Sequence, residues 1–266
     1  RMASAQSHVD PALTDPHVFF FEDFESGGLG KWDNRFGECD HSGIHVIDDP
    51  ACIFAGRYSL EYCREPGKGL GPSMPVWFMP GYDTVYARWY CHFAPDYDQG
   101  ELMHLNRLIG GPPGDYEVIR GRAGTRPTGR DFFTTGIEPC PLRVKGRGLG
   151  PLVFYTYHPD MPTSPTRFHH GQIFSTDPPL WIERGRWYCL EMMVKLNVPG
   201  RHDGEQAAWV DGQQVLHITG LRWRDTEELK IHCFRLHLYI GDSPGVNRVW
   251  FDNVALSTGY IGPASP

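Results

Sequence analysis

Residues 232–242 read HCFRLHLYIGD. Phe234, Leu236, Leu238 and Ile240 alternate with Cys233, Arg235, His237 and Tyr239, a period of two that predicts a β-strand with one apolar face. Its other face carries a guanidinium, an imidazole and a phenol in a row. Arg, His and Tyr are ordinary residents of a strand's wet face, so the stretch by itself points to an all-β fold; a functional surface is read from the recurrence of these residues on other strands.

Working outward, the same pattern recurs. In VYARWYCHF, Ala87, Trp89, Cys91 and Phe93 form the apolar face, opposite Tyr86, Arg88, Tyr90 and His92. In CLEMMVKLN, Leu190, Met192, Val194 and Leu196 are apolar, with Glu191, Lys195 and Asn197 opposite and Met193 among them. LVFYTYHP puts Tyr155 and Tyr157 on one face, ELMHLNRL puts His104 and Asn106 on one face, and RFHHGQIF adds His169, His170 and Gln172. Further strands are predicted in HVFFFEDF, YSLEYC, EQAAWVDGQQVLHI and NRVWFDNVALSTGYI. The Asp-Gly of WVDGQQV marks a hairpin. Apolar residues nowhere hold helical spacing over more than two turns without Gly or Pro.

Many short strands, with strands near both ends, predict a two-sheet antiparallel β-sandwich of the jelly-roll type. The chain has 266 residues, 40% of them hydrophobic, enough for one large domain with a substantial core. Residues 17–262 read as that domain, and 1–16 as a tag remnant or flexible N-terminus. Residues 110–150, rich in Gly, Pro and Arg, read as a long loop system overhanging a binding face.

The net charge of −7 speaks against a phosphate-backbone binder, so nucleic acid is not an expected partner. No apolar run approaches the length of a membrane span, about 18 residues. Seven cysteines include no CxxC pair, and Cys39, Cys52 and Cys63 lie close enough in sequence for one disulfide among them. RMASAQSHVD does not begin like a natural start, so a missing signal peptide carries no weight.

FEDFESGGLGKWD (21–33) and VWFDNVAL (249–256) resemble the first and last strands of concanavalin A-like jelly rolls, a class in which these strands often share a Ca²⁺ site. Ca²⁺ takes six to eight hard oxygens. The resemblance implies Asp23, Glu25 and Asp252 as carboxylate ligands and a carbonyl from the turn around Gly56 and Arg57.

RWYCLEMMVKLNVPGRHDGEQAAWVDGQQVLHITGLRWRDTEELKIHCFRLHLYIG, followed by VWFDN, resembles the C-terminal half of the family 14 polysaccharide lyases. These are jelly-roll enzymes that cleave alginate or glucuronan. The likeness covers residues 186–255. It implies a catalytic Lys, with Arg and Tyr residues lining a concave cleft. Lys195 in VKLN matches the Lys, Arg235 and Tyr239 match the Arg and Tyr, and Tyr155 and Tyr157 offer a Tyr pair. His237 stands between Arg235 and Tyr239 without a family counterpart.

The residue types suit that chemistry. β-Elimination of a uronate needs a cation on the carboxylate, a base for the C5 proton and an acid for the leaving oxygen. The expected catalytic set is Lys195, Arg235, His237, Tyr239 and Tyr157. The expected substrate contacts are Arg88, Tyr90, His92, His104, Asn106, Tyr155, Gln172, Glu191 and Asn197. The expected partner is an acidic polysaccharide, and the expected location is outside the cytoplasm. Three other classes fit the same fold. A glycoside hydrolase needs two carboxyl groups, for which Glu191 is one candidate without an evident partner. A binding module would have no base or acid at work. A metal enzyme would draw on some of the 13 His residues.

Overall fold

The protein is described here from a computed structural model covering residues 10–32, 41–69, 71–120, 122–140, 148–163 and 170–265. Fourteen strands occur among them: β1 (Val18–Glu22), β2 (Ile44–Ile47), β3 (Ser59–Arg64), β4 (Ser73–Tyr82), β5 (Thr84–Phe93), β6 (Met103–Gly111) and β7 (Phe133–Pro139). Then come β8 (Leu152–Tyr157), β9 (Gln172–Ser175), β10 (Trp187–Lys195), β11 (Gly204–Val210), β12 (Gln213–Leu221), β13 (Lys230–Ile240) and β14 (Asn247–Ser257). The described helical segments are single 3₁₀ turns, and none is long and apolar enough to cross a membrane.

The strands form two antiparallel sheets. One is eight-stranded, in the order β12-β11-β10-β5-β14-β3-β2, with β1 also pairing β14; the other is six-stranded, in the order β4-β13-β6-β7-β8-β9. The apolar faces read from the alternation meet between them. Trp89 of β5 packs 5.6 Å from Phe234 of β13, ring to ring, and both are fully buried. A polar bridge also crosses this core: Gln206 Oε1 of β11 accepts from Thr135 Oγ1 at 2.9 Å and from Thr156 Oγ1 at 3.2 Å.

Asp-Gly does make the β11–β12 turn. Asp211 (φ 51°) and Gly212 (φ 81°) both take positive φ, as a two-residue type I′ turn requires. Three strands escape the sequence reading. Two of them have a visible cause. β4 contains Pro75 and Pro80, which the sheet tolerates because β4 lies at an edge. β7 falls inside the stretch expected to be loop, because Thr134, Gly136 and Glu138 give it no apolar signature.

The expected N-terminal boundary needs correction. Asp10 is buried and forms a two-pronged ion pair with Arg88, at 2.6 and 2.9 Å. A buried guanidinium requires such a partner, so the residues from Asp10 onward belong to the domain. Among the described residues no disulfide joins Cys52, Cys63, Cys91, Cys140, Cys189 or Cys233; Cys39 lies outside the described residues.

Candidate active site

The outer face of the six-stranded sheet holds a cleft of about 280 Å³. β13 supplies Arg235, His237 and Tyr239; β6 supplies His104, Arg107 and Ile109; β7 supplies Thr134; and β8 supplies Tyr155 and Tyr157. Val118, Arg122 and Ala123, from the β6–β7 connection, close one side. The run that opened the sequence analysis therefore forms one wall of this cleft. Its three polar side chains point outward because Phe234, Leu236, Leu238 and Ile240 are committed to the core.

β6 does not follow the simple alternation. β13 and β6 step out of register between Leu236 and Tyr239, and on β6 the cleft side passes from His104 to Arg107, three residues on instead of two. Asn106 is thereby turned away and buried, its Nδ2 donating to the Ile137 carbonyl. Arg107 takes the place in the cleft that the sequence reading gave to Asn106. Gly136 of β7 leaves it room: a Cβ there would come within 2.7 Å of Arg107 Nη1 and 2.1 Å of the Asn106 carbonyl oxygen.

Beneath Arg107 lies Glu138 of β7, fully buried. Its Oε2 accepts from Arg107 Nη1 at 2.7 Å and from the Leu105 backbone N–H at 2.9 Å. Its Oε1 lies 2.9 Å from His104 Nδ1 and accepts from Arg107 Nη2 at 3.2 Å. Burial alone would raise the Glu138 pKa, but Arg107 and His104 outweigh it and hold the carboxyl below its usual range.

His104 is stacked among the other cleft rings, 5.0 Å from Tyr155, 5.6 Å from Tyr239 and 6.1 Å from His237. Arg107 lies over the Tyr155 ring, 5.3 Å from its centroid. Burial, then the neighbouring Arg235 and Arg107, push His237 well below the usual imidazole range. Its Nε2 is buried with no hydrogen-bond partner among the described residues. Burial also lowers His104, with Glu138 opposing. Tyr155 is raised, chiefly by burial and then by its bond to Tyr157, whose hydroxyl is 3.3 Å away. Burial thus favours the uncharged forms of both imidazoles and of the Tyr155 phenol.

The other expected residues lie elsewhere, for one reason: alternation separates the two faces of a strand but does not say which sheet the strand joins. Arg88, Tyr90, His92, Glu191 and Lys195 face outward from the eight-stranded sheet, on the opposite side of the sandwich. Arg88 is spent on Asp10. Tyr90 accepts the Ala264 N–H at 2.7 Å and stacks on Phe54. His92 lies between Trp187 and Trp250. Glu191 accepts the N–H groups of Ile261 and Gly262, each at 2.8 Å, and burial raises its pKa to about 7. Lys195 is exposed and pairs with Glu205 at 2.7 Å, so the lysine matched on sequence is not in the cleft. Asn197 is buried in a loop, accepting from the Trp223 and Arg224 N–H groups. Gln172 bonds His158 at 2.7 Å, outside the cleft lining. His169 lies outside the described residues.

Around the expected calcium position, Glu25 Oε1 accepts the N–H groups of Arg57 and Tyr58 at 2.8 and 2.9 Å. Asp252 Oδ2 accepts those of Phe54 and Ala55, both at 3.1 Å. Asp23 Oδ1 accepts from the Glu25 N–H. These acids tie the entry after β1 and the middle of β14 to the turn at 54–58. Among the described residues, no three His, Cys, Asp or Glu side chains form a metal-binding group.

The fold has many solved counterparts. The chain is similar to the PL-14 alginate lyase from Aplysia kurodai (16% identity, TM-score 0.64, 82% of this chain and 87% of that one). It is similar to the alginate lyase vAL-1 from Chlorella virus (17% identity, TM-score 0.66, 90% and 99%). It also resembles the endo-β-1,4-glucuronan lyase from the fungus Trichoderma reesei (15% identity, TM-score 0.55, 93% and 98%). At these identities the likeness establishes the jelly-roll fold. No curated protein matches the chain significantly by sequence. Residues 150–253 match the family model Polysaccharide lyase 14, and this matched segment contains Tyr155, Tyr157, Arg235, His237 and Tyr239.

Proposed function

We propose that the protein is a secreted polysaccharide lyase that cleaves a uronate-containing chain of the alginate or glucuronan type by β-elimination. The observation that carries this reading is the make-up of the cleft. Arginines, imidazoles and phenols converge there, and none of its described lining residues is Asp or Glu. In this reading Arg235 binds a uronate carboxylate and favours loss of the C5 proton, while Arg107 is committed to Glu138 and adds positive charge to the cleft floor. An imidazole serves as base, and a phenol protonates the leaving oxygen. Hydrolysis would need two carboxyl groups flanking the bond. Glu138 is sealed under Arg107, and Glu191 lies on the other sheet.

The test is incubation with alginate, glucuronan, other uronate polymers and neutral β-glucans, following near-UV absorbance and reducing ends together. Absorbance on a uronate polymer, lost in Arg235→Ala, supports the lyase. Reducing ends without absorbance would overturn it in favour of hydrolysis.

Structural Ca²⁺ at Glu25 and Asp252 is a separate proposal. Two carboxylates converge on one turn, and Asp252 is raised to about 8, first by burial and further by Glu25. A carboxylate has about four lone-pair sites, so the N–H bonds leave room for a cation. Ca²⁺ is expected to raise the Tm and a chelator to lower it, with both effects lost in Asp252→Asn.

A further inference from the structure

We infer that His104 is the general base of this cleft and that Glu138 is its positioning residue, holding the imidazole proton on Nδ1 so that the Nε2 lone pair faces the substrate. This rests on the lyase reading above and goes beyond it by naming the base.

The argument starts from the carboxylate. Glu138 is fully buried, and its Oε1 lies 2.9 Å from His104 Nδ1. An unprotonated Nδ1 would set a lone pair against a carboxylate oxygen with no water between them. A proton on Nδ1 turns the same contact into a charge-assisted hydrogen bond. Arg107 Nη2 lies 2.7 Å from the same nitrogen and can only donate, so it competes with Glu138 for Nδ1. In this assignment the carboxylate prevails, because Nη2 also reaches Glu138 Oε1 at 3.2 Å and Nη1 is already on Oε2. The guanidinium can therefore give its protons to the carboxylate and leave Nδ1–H to do the same.

Position separates His104 from the other candidates. It is held by a carboxylate and keeps 17% of its side chain open. His237 has no carboxylate partner and faces Arg235, Arg107 and His104, all of which oppose its protonation. Tyr155 accepts the Gly171 N–H at 3.1 Å and is held as a phenol. The groups facing His104 are Arg107 on its own strand, Glu138 on β7, Tyr155 on β8, and Arg235, His237 and Tyr239 on β13. Glu138 is the only carboxylate among these described groups, and the charge that stabilises an imidazolium comes from it.

The step balances without a further reactant. Nε2 takes the C5 proton, and the C5–H electron pair becomes the C4=C5 double bond. The C4–O bond breaks, and the leaving oxygen takes a proton from a tyrosine hydroxyl. The products are an unsaturated end and a new alcohol end. The imidazolium loses its proton and the phenolate regains one from water.

The test combines the proton position in the unmodified protein with turnover. Nitrogen-15 spectra of the imidazoles, with His104→Asn identifying the signal, are expected to show an Nδ1–H tautomer for His104 at neutral pH. An Nε2–H tautomer overturns the inference, whatever the activity. On alginate or glucuronan, whichever the wild type cleaves, His104→Ala is expected to lose about 100-fold or more in kcat. Binding of short oligosaccharides of that polymer should stay within about threefold.

In Glu138→Gln, the amide nitrogen can donate to Nδ1 and reverse the tautomer, so kcat should fall by a comparable factor together with the change in the nitrogen spectrum. A His104→Ala or His104→Gln variant that is folded by circular dichroism and turns over within fivefold of wild type overturns the base assignment while leaving the lyase reading intact. Silence of the wild type on every uronate polymer overturns the lyase reading itself, and this is seen before any variant is made.

Discussion

Arg107 and Glu138 form an ion pair in the floor of the cleft, Nη1 to Oε2 at 2.7 Å, with the carboxylate wholly out of solvent. Removing one member leaves the other as an uncompensated buried charge, which costs about 3–5 kcal/mol. Arg107→Ala and Glu138→Ala should each lose stability on that scale in urea unfolding. The double variant should lose less than their sum, because no orphaned charge remains. Additive losses would show that the pair is not coupled.

Lys195 provides the opposite case. It is exposed and paired with Glu205 on the sheet away from the cleft. Lys195→Ala is expected to leave turnover within twofold of wild type and to cost less than about 1 kcal/mol, the range of surface ion pairs. A large loss of kcat would mean that the chemistry lies on the eight-stranded sheet after all.

The two cleft tyrosines should separate. The Tyr155 hydroxyl accepts the Gly171 N–H, so Tyr155→Phe leaves that donor without its partner and costs about 1–3 kcal/mol in stability. The Tyr157 hydroxyl, by contrast, meets that of Tyr155 at 3.3 Å. If its phenol protonates the leaving oxygen, Tyr157→Phe should lower kcat by about 10²–10⁴-fold with little change in Tm. Steady-state kinetics and melting curves on the two variants decide it.

Glu191 gives a pH signature on the other sheet. Its pKa rises on folding from the ordinary 4.5 to about 7, with burial as the first cause. The folded state therefore holds the proton more tightly than the unfolded state. The favourable contribution is complete below about pH 4.5, declines as pH rises, and is gone above about 7. Its full size is on the order of 3 kcal/mol. The stability difference between wild type and Glu191→Gln should shift against wild type from pH 4 to pH 8. A difference that instead grew in favour of wild type would mean that the Ile261 and Gly262 N–H bonds outweigh burial.

Much of this molecule is legible in its sequence, and the failures have physical causes. The alternation in 232–242 gives both the core face of β13 and the polar wall of the cleft, because a central strand packed on the core has little freedom to rotate. His104, Tyr155 and Tyr157 were also recognisable as cleft-type residues. Arg107 was hidden by the irregularity in β6, where strict alternation selects Asn106 instead. Glu138 was hidden because β7 looks like loop, and its role depends on Arg107 and Leu105, 31 and 33 residues away. Lys195 was matched through the family resemblance of VKLN, and Glu191 and Arg88 were grouped with the site because they also sit on polar faces of strands. Only the order of strands in the sheets shows that those faces look away from the cleft.

Among the described residues, the cleft is lined from one sheet and its β6–β7 connection, which leaves the far sheet as a mooring surface. The Lys195 amine projects from that side of the sandwich. A molecule coupled to a solid support through it would sit with its cleft toward solvent, open to a polymer too large to diffuse into a crevice. Retention of full turnover per molecule on such a support, against loss when coupling is directed to the cleft rim, would make this orientation measurable.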